Sequence, residues 1–420
     1  MASPARARRT KQPRLLAAFA ALLAASVAPA GASAADDGTS APAAAKGATG
    51  GKLQDASTKR LVLELASYAD SDHVSIFTPS ISGGVDNVTQ GASLRGSYLV
   101  DVVSAASVDI VSTASKGFHE VRQAGALEFE YKPHDFGVTV GASTSVEPDY
   151  VSYGVGVAAT LDLNERNTTL LLGYGYGHDT AGRSTTPFSV FSRVIEHGTL
   201  NAGLTQVVNR STVASVAADL VLDDGDQSKP YRYIPMFDPA AAAKAPLGAS
   251  IAWVTANRAA ERPLEQLPLS RQRFAVTGRL GHRFEASTLR LEERVYADSW
   301  LLLASTSDVR WIFDLGRRFA FWPHARLHMQ SGVDFWQRAY STGSATGWDL
   351  PEFRTGDREL GPLRTLTGGG GLRVFLGSNA DPQAWSLAFQ ADAMYTSFLD
   401  DLYLTERTGV IGSLTFEGEL

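Results

Sequence analysis

The chain has 420 residues, 44% apolar and 20% charged, with 39 glycines, 13 tyrosines, 19 phenylalanines and no cysteine. The missing cysteine excludes a disulfide framework, thiolate metal sites, a Cys nucleophile and a lipid anchor through an N-terminal cysteine. A net charge of -6 argues against nucleic acid, whose phosphates call for excess Lys and Arg.

The first element is an export signal. Arg6, Arg8, Arg9, Lys11 and Arg14 precede an apolar core from Leu15 to Ala30, and Ala32-Ser33-Ala34 has the small-x-small pattern of a cleavage site. Cleavage after Ala34 is expected, so residues 1–34 are a signal peptide. Its loss takes five of the 38 basic and none of the 44 acidic side chains, moving the net charge to -11. Residues 35–57, "ADDGTSAPAAAKGATGGKLQDAS", read as a flexible, low-complexity periplasmic leader. Beyond the signal, no apolar run reaches the roughly 18 residues of a membrane helix.

From about Arg60 onward the dominant period is two. In "YVSYGVGVAATLDL", Val151, Tyr153, Val155, Val157 and Leu161 share one face, while Ser152, Gly154, Gly156, Ala158, Thr160 and Asp162 share the other. In "TTLLLGYGYGHD", Leu170, Leu172, Tyr174 and Tyr176 oppose Gly173, Gly175, Gly177 and Asp179. The polar "DLNERNTT" between them makes the pair an antiparallel hairpin. The alternation recurs in roughly sixteen segments of about 9 to 14 residues, the length of tilted membrane-spanning strands.

Connections alternate as well. Those after even-numbered strands are short, such as "YKPHDF", "VNRST" and "FEAST"; several after odd-numbered strands are long, near 100–117, 178–190, 223–270 and 340–364. Short periplasmic turns against longer extracellular loops are the habit of outer-membrane barrels. A soluble sandwich would turn Lys, Glu and Thr outward, whereas the second face here is Gly, Ala and Ser with dispersed charges. The predicted fold is an all-β transmembrane antiparallel up-and-down β-barrel of about sixteen strands over 58–420, in the outer membrane. Lipid cannot satisfy open strand edges, so the sheet must close. The segment from Asp223 to Ser270, with six prolines, is too long for a mere connector and reads as an extracellular or plug loop. A short helix within it would make Trp253 a packing anchor.

Three stretches carry a family resemblance: residues 145–179, "SVEPDYVSYGVGVAATLDLNERNTTLLLGYGYGHD"; 270–300, "SRQRFAVTGRLGHRFEASTLRLEERVYADSW"; and "KPYRY" at 229–233. The chain resembles the bacterial family catalogued as domain of unknown function 3570. The resemblance implies an outer-membrane β-barrel of Gram-negative bacteria, and it transfers no catalytic residues. Such barrels usually end in an aromatic residue read by the insertion machinery; this chain ends "LTFEGEL", with Phe416 four residues before the end.

Strand parity places candidate lumen-lining residues. The basic set is Arg273, Arg279, Arg283, Arg290, Arg294, Arg326 and Arg373, joined by Arg271, Arg310, His324 and His328; the acidic set is Glu64, Asp101, Glu128, Glu130, Asp162 and Asp219. A basic wall facing an acidic one would create a transverse field that orients polar solutes. The competing expectation is mutual pairing, as Arg290, Glu292 and Arg294 would achieve along their own strand.

Other motifs read weakly. His324 and His328, four apart on a strand rising about 3.3 Å per residue, lie too far apart to share an ion. Asp223, Asp224 and Asp226 suggest a calcium loop but lack EF-hand spacing. The glycine pairs precede no helical pattern, so a phosphate loop is not expected, and Gly368 to Gly371 reads as strand. No GxSxG occurs, leaving His178, Asp179 and Ser184 as the least poor hydrolase candidate.

The expected function is a channel or uptake pore for small polar or ionic solutes, with no catalytic residue, metal or cofactor. The alternative is a non-transporting scaffold or receptor acting through its loops; a rim-located hydrolase is third. Expected partners are outer-membrane lipid, the barrel-insertion machinery and, in the alternative, a periplasmic or surface protein, but no nucleic acid.

Overall fold

The computed structural model describes residues 57–105, 118–183, 185–344, 347–348 and 350–420. The expected signal peptide and all but the last residue of the expected leader lie outside these. Sixteen strands form one closed barrel. They are β1 (Ser57–Asp70), β2 (Val74–Asn87), β3 (Ala92–Ala105), β4 (Phe118–Tyr131), β5 (Phe136–Glu147), β6 (Tyr150–Leu163), β7 (Thr168–Ala181) and β8 (Arg193–Asn209). The second half comprises β9 (Thr212–Gly225), β10 (Ser270–Arg283), β11 (Ser287–Asp298), β12 (Leu303–Leu315), β13 (Phe319–Gln330), β14 (Leu363–Phe375), β15 (Trp385–Phe398) and β16 (Glu406–Glu419). Every neighbouring pair is antiparallel, and β1 closes on β16 from Arg60 opposite Glu419 to Asp70 opposite Gly409.

The strands are 12 to 17 residues long, beyond the 9–11 or so needed to cross a bilayer at a tilt. Period two sorts their side chains. Along β7, Leu170, Leu172, Tyr174 and Tyr176 are exposed, while Leu171, Gly173, Gly175 and Gly177 are buried. Leu, Val, Phe and Tyr are exposed in the same way on strand after strand, as at Leu127 and Phe129, Val155 and Val157, and Leu200 and Leu204. Such a continuous apolar exterior suits hydrocarbon and not water. Toward the short-turn end it is rimmed by aromatic rings: Trp311 stacks on Phe313 at 5.1 Å, and Trp385 lies 5.5 Å from Phe416.

Both chain ends of the barrel lie at the short-turn end, since β1 starts and β16 finishes there. At the opposite end two connections, 226–269 and 331–362, fold against each other. Met236–Phe237 pairs in parallel with Tyr340–Ser341, and Gln266 bridges Arg354. Two short helices stand within the first connection, α1 (Pro239–Ala242) and α2 (Ile251–Asn257). Asp238 caps α1 by accepting from the Ala241 N–H, and Ser250 caps α2 by accepting from that of Trp253. Trp253 packs against Phe237 at 5.7 Å, the anchoring role expected of it.

Among the described residues, this cap and the turns at 299–302 and 399–405 that pack against it hold most of the large buried apolar side chains. Phe237, Val254 and Leu402 form one cluster; Leu267, Trp300, Leu302, Val333 and Leu360 form another. Each such side chain contributes about 1.5–3 kcal/mol through burial. Leu402 belongs to the β15–β16 connection, whose backbone accepts from Gly248 and Ala249. Six strands separate that connection from β9–β10 on a ring of sixteen, so the cap crosses the barrel mouth.

Candidate functional site: the charged lumen wall and its cap

The inward face is polar, and the register decides which polar groups meet. On the side predicted to be acidic, Asp101 accepts from the Arg122 guanidinium at 2.6 Å and from Thr78 at 2.5 Å. Glu128 and Glu130 lie 3.1 and 3.5 Å from Arg95, and Asp162 lies 2.9 Å from Lys132. Asp219 accepts from Asn201 at 2.7 Å and lies 3.6 Å from Arg294. Glu64 shares the inward face of β1. On the basic side, Arg273 reaches Asp223 at 2.7 Å, Arg283 reaches Asp314 at 2.5 Å, Arg271 reaches Asp298 at 2.5 Å, and Arg279 pairs with Glu292. Arg326 stands opposite Asp308 in the β12–β13 register, and Arg373 lies 3.7 Å from Glu417.

These pairings correct the expectation of two walls of opposite sign. Each side carries counter-charges from adjacent strands, because antiparallel register brings side chains within about 5 Å of their cross-strand partners. Pairing along β11 is also corrected: Glu292 turns to Arg279 on β10, and Arg294 turns toward Asp219. Arg290 instead directly faces Arg310 across β11–β12.

Two histidines are wedged between carboxylates. His197 lies 2.6 Å from Asp223 through Nδ1 and 2.7 Å from Asp179 through Nε2; Asp179 also accepts from the Tyr150 hydroxyl. His324 lies 2.9 Å from Asp392 and 2.8 Å from Asp308. Each ring thus bridges two carboxylates of other strands, one through each nitrogen. His328 instead meets Thr306 and Gln330.

The calcium-loop reading is overturned. Asp223 and Asp224 are strand residues on opposite faces of β9, and Asp223 is buried against His197 and Arg273; Asp226 pairs with Arg193 at 2.9 Å. The hydrolase candidate fails on parity, since His178 and Asp179 are consecutive on β7 and point to opposite faces; Ser184 lies outside the described residues. Sequence reasoning also missed a carboxylate group at the rim, where Glu120, Glu147 and Asp149 come within 4.8 Å of one another. Asp149 accepts from Tyr231 of the cap.

The cap is fastened by a second polar network. Glu265 accepts from Arg232 at 3.1 Å, from Thr355 at 2.6 Å and from the Lys229 N–H at 2.8 Å. Arg232 also reaches Asp357 at 2.9 Å, which joins the two long connections. Desolvation opposes the Asp357 charge, but the Arg232 guanidinium outweighs it and holds the carboxyl below its ordinary range. Burial pushes the Tyr340 hydroxyl up to about 12, so it remains a donor to the Phe335 carbonyl at 3.0 Å. Arg358 ties the cap to Asp72 in the β1–β2 turn at 3.1 Å, and Arg407 ties β16 to Glu359 at 3.2 Å.

The family model described as "Protein of unknown function (DUF3570)" matches residues 30–390. No curated protein matches the sequence. Among solved structures, the chain is similar to the siderophore receptor PirA from Acinetobacter baumannii, at 10% identity and a TM-score of 0.40 over 83% of this chain and 54% of that one. It is similar to a bacterial polysaccharide outer membrane secretin at 9% identity and a TM-score of 0.43, over 87% of this chain and 99% of that one. It is also similar to OccK11 (OpdR) of Pseudomonas aeruginosa, at 10% identity and a TM-score of 0.39 over 87% and 96%. The chain thus spans little more than half the length of the PirA receptor it matches.

Proposed function

We propose, for a chain that belongs to the outer-membrane barrel family catalogued as DUF3570, that the barrel is a gated uptake pore for small polar or ionic solutes. One observation carries the reading: the inward wall is lined by charged and hydrogen-bonding side chains, while the apolar core is built in the cap across the mouth. A solute path requires a hydrophilic interior, and a cap stabilised apart from the wall is what lets that path be opened and closed. The cap supplies the gate, and the pore performs no covalent chemistry. The N-terminal signal directs export through the inner membrane, and the finished barrel lies in outer-membrane lipid.

A second reading has an observation of its own. The cap presents an ordered surface at the mouth, which would serve a receptor or scaffold that engages a partner through its loops. Swelling of liposomes that contain the full chain separates the two. The pore reading predicts that small charged solutes enter faster once Arg232→Met or Arg358→Ala loosens the cap. If both variants leave the liposomes as tight to solute as protein-free ones, the receptor reading prevails.

A further inference from the structure

Among the cations of the inward wall, one group departs from the rule of local pairing. Arg290 is the fourth residue of β11, Arg373 the third from the end of β14, and Arg60 the fourth of β1, so all three lie toward the short-turn end. Arg310 directly faces Arg290 in the register. The charges of Arg310 and Arg373 both bear on Arg290, and that of Arg60 bears on Arg373.

Glu417 stands among these four guanidinium groups, at 3.5 Å from Arg60 and 3.7 Å from Arg373. Asp392 lies within electrostatic reach of Arg310 but is already held by His324 and Gln390. Among the described residues, no carboxylate pairs with Arg290. The Nε–H groups of Arg310 and Arg373 are buried without an acceptor. Buried donors without partners and like charges in a confined wall both cost free energy, and an anion relieves both at once.

We propose that Arg290, Arg310 and Arg373, with Arg60 beside them, form a lumenal binding site for small multivalent oxyanions of the phosphate class. The guanidinium fork places two N–H groups in one plane, matched to two oxygens of such an anion. Four forks around Glu417 leave a charge excess suited to a dianion. The site rests on the pore reading for its purpose, as the point where a permeating anion is held, but its existence is tested without transport.

The test is titration calorimetry of the purified full chain in detergent with inorganic phosphate at low salt, paired with thermal unfolding. The wild type is expected to bind phosphate saturably and to unfold at a higher temperature in its presence. Arg290→Gln with Arg310→Gln is expected to weaken binding at least tenfold and to raise the unfolding temperature of the phosphate-free barrel, because repulsion is relieved. A purely structural role for these arginines predicts the opposite thermal shift. Arg290→Lys, which keeps the charge and loses the fork, is expected to weaken binding severalfold. Substituting the exposed turn residues Arg166 and Arg317 with Gln is expected to leave binding unchanged. Phosphate binding equally tight in the double variant, or absent from the wild type at millimolar phosphate, overturns the site. A barrel that binds phosphate but never conducts refutes the pore reading alone; one that conducts without binding phosphate refutes the site alone.

Discussion

Arg232 and Glu265 show at the scale of single residues how the cap is held, because the Glu265 side chain is fully buried and receives three donors from two long connections. Arg232→Met removes its charged partner and leaves the buried carboxylate with only the Thr355 hydroxyl and the Lys229 N–H, a change that costs about 3–5 kcal/mol in buried pairs. Hydrogen exchange at the backbone of 228–237 and 263–267 is expected to accelerate strongly in this variant, with barrel strands unaffected. Asp357 adds a pH dependence of defined sign. Its folded carboxyl titrates below its ordinary value near 4, so its contribution is fully present above that value and is lost as pH falls through the depressed one. Exchange in the cap, expressed relative to the intrinsic amide rate at each pH, should therefore be flat from about pH 7 to 5 and rise at lower pH. In Asp357→Asn that acid-dependent rise should shrink. None of these partnerships was legible in the sequence. Arg232, Glu265 and Asp357 lie in connections without periodicity, and no spacing rule links positions 33 and 125 residues apart.

Elements were far more legible. The alternation that places Leu170, Leu172, Tyr174 and Tyr176 opposite the β7 glycines reappears in the burial of that strand, because period two follows from backbone geometry alone. The same parity puts His197 on one face with Asn201 and Thr205, and would have found that histidine had it been applied to β8. Cross-strand partners were not readable, since register depends on turns whose length fixes which residue faces which. The run Gly368 to Gly371 illustrates the difference. A β-carbon at Gly368 would meet nothing within 4 Å, whereas one at Gly369 would stand 2.1 Å from the backbone oxygen of Ala391. Gly369→Ala is expected to lower the yield of heat-modifiable, folded barrel on semi-native gels, and Gly368→Ala to leave it at the wild-type level. Equal yields from the two would show that the β14–β15 approach is looser than the register requires.

At the scale of the whole molecule, stability is divided between two parts built on different physics. The barrel closes through continuous antiparallel hydrogen bonding, with its apolar side chains turned outward and charged pairs within. The cap is a small water-facing assembly with its own apolar clusters and a buried ion network, and it spans connections six strands apart. A part that is stabilised separately can open while the wall remains intact, which is the property a gate needs. Length and loop parity foretold that the connections near 223–270 and 340–364 would be substantial. That the two would fold on each other was not foretold, because their contacts are made by Met236, Phe237 and Tyr340 in stretches that carry no repeating pattern. The central claim, a pore closed by its own cap, is tested most directly by single-channel recording in planar bilayers of the wild type beside a variant with 232–264 replaced by a short Gly/Ser linker. The predicted result is rare, brief openings in the wild type and long, stable ones in the variant; a folded variant barrel that shows no conductance would contradict it.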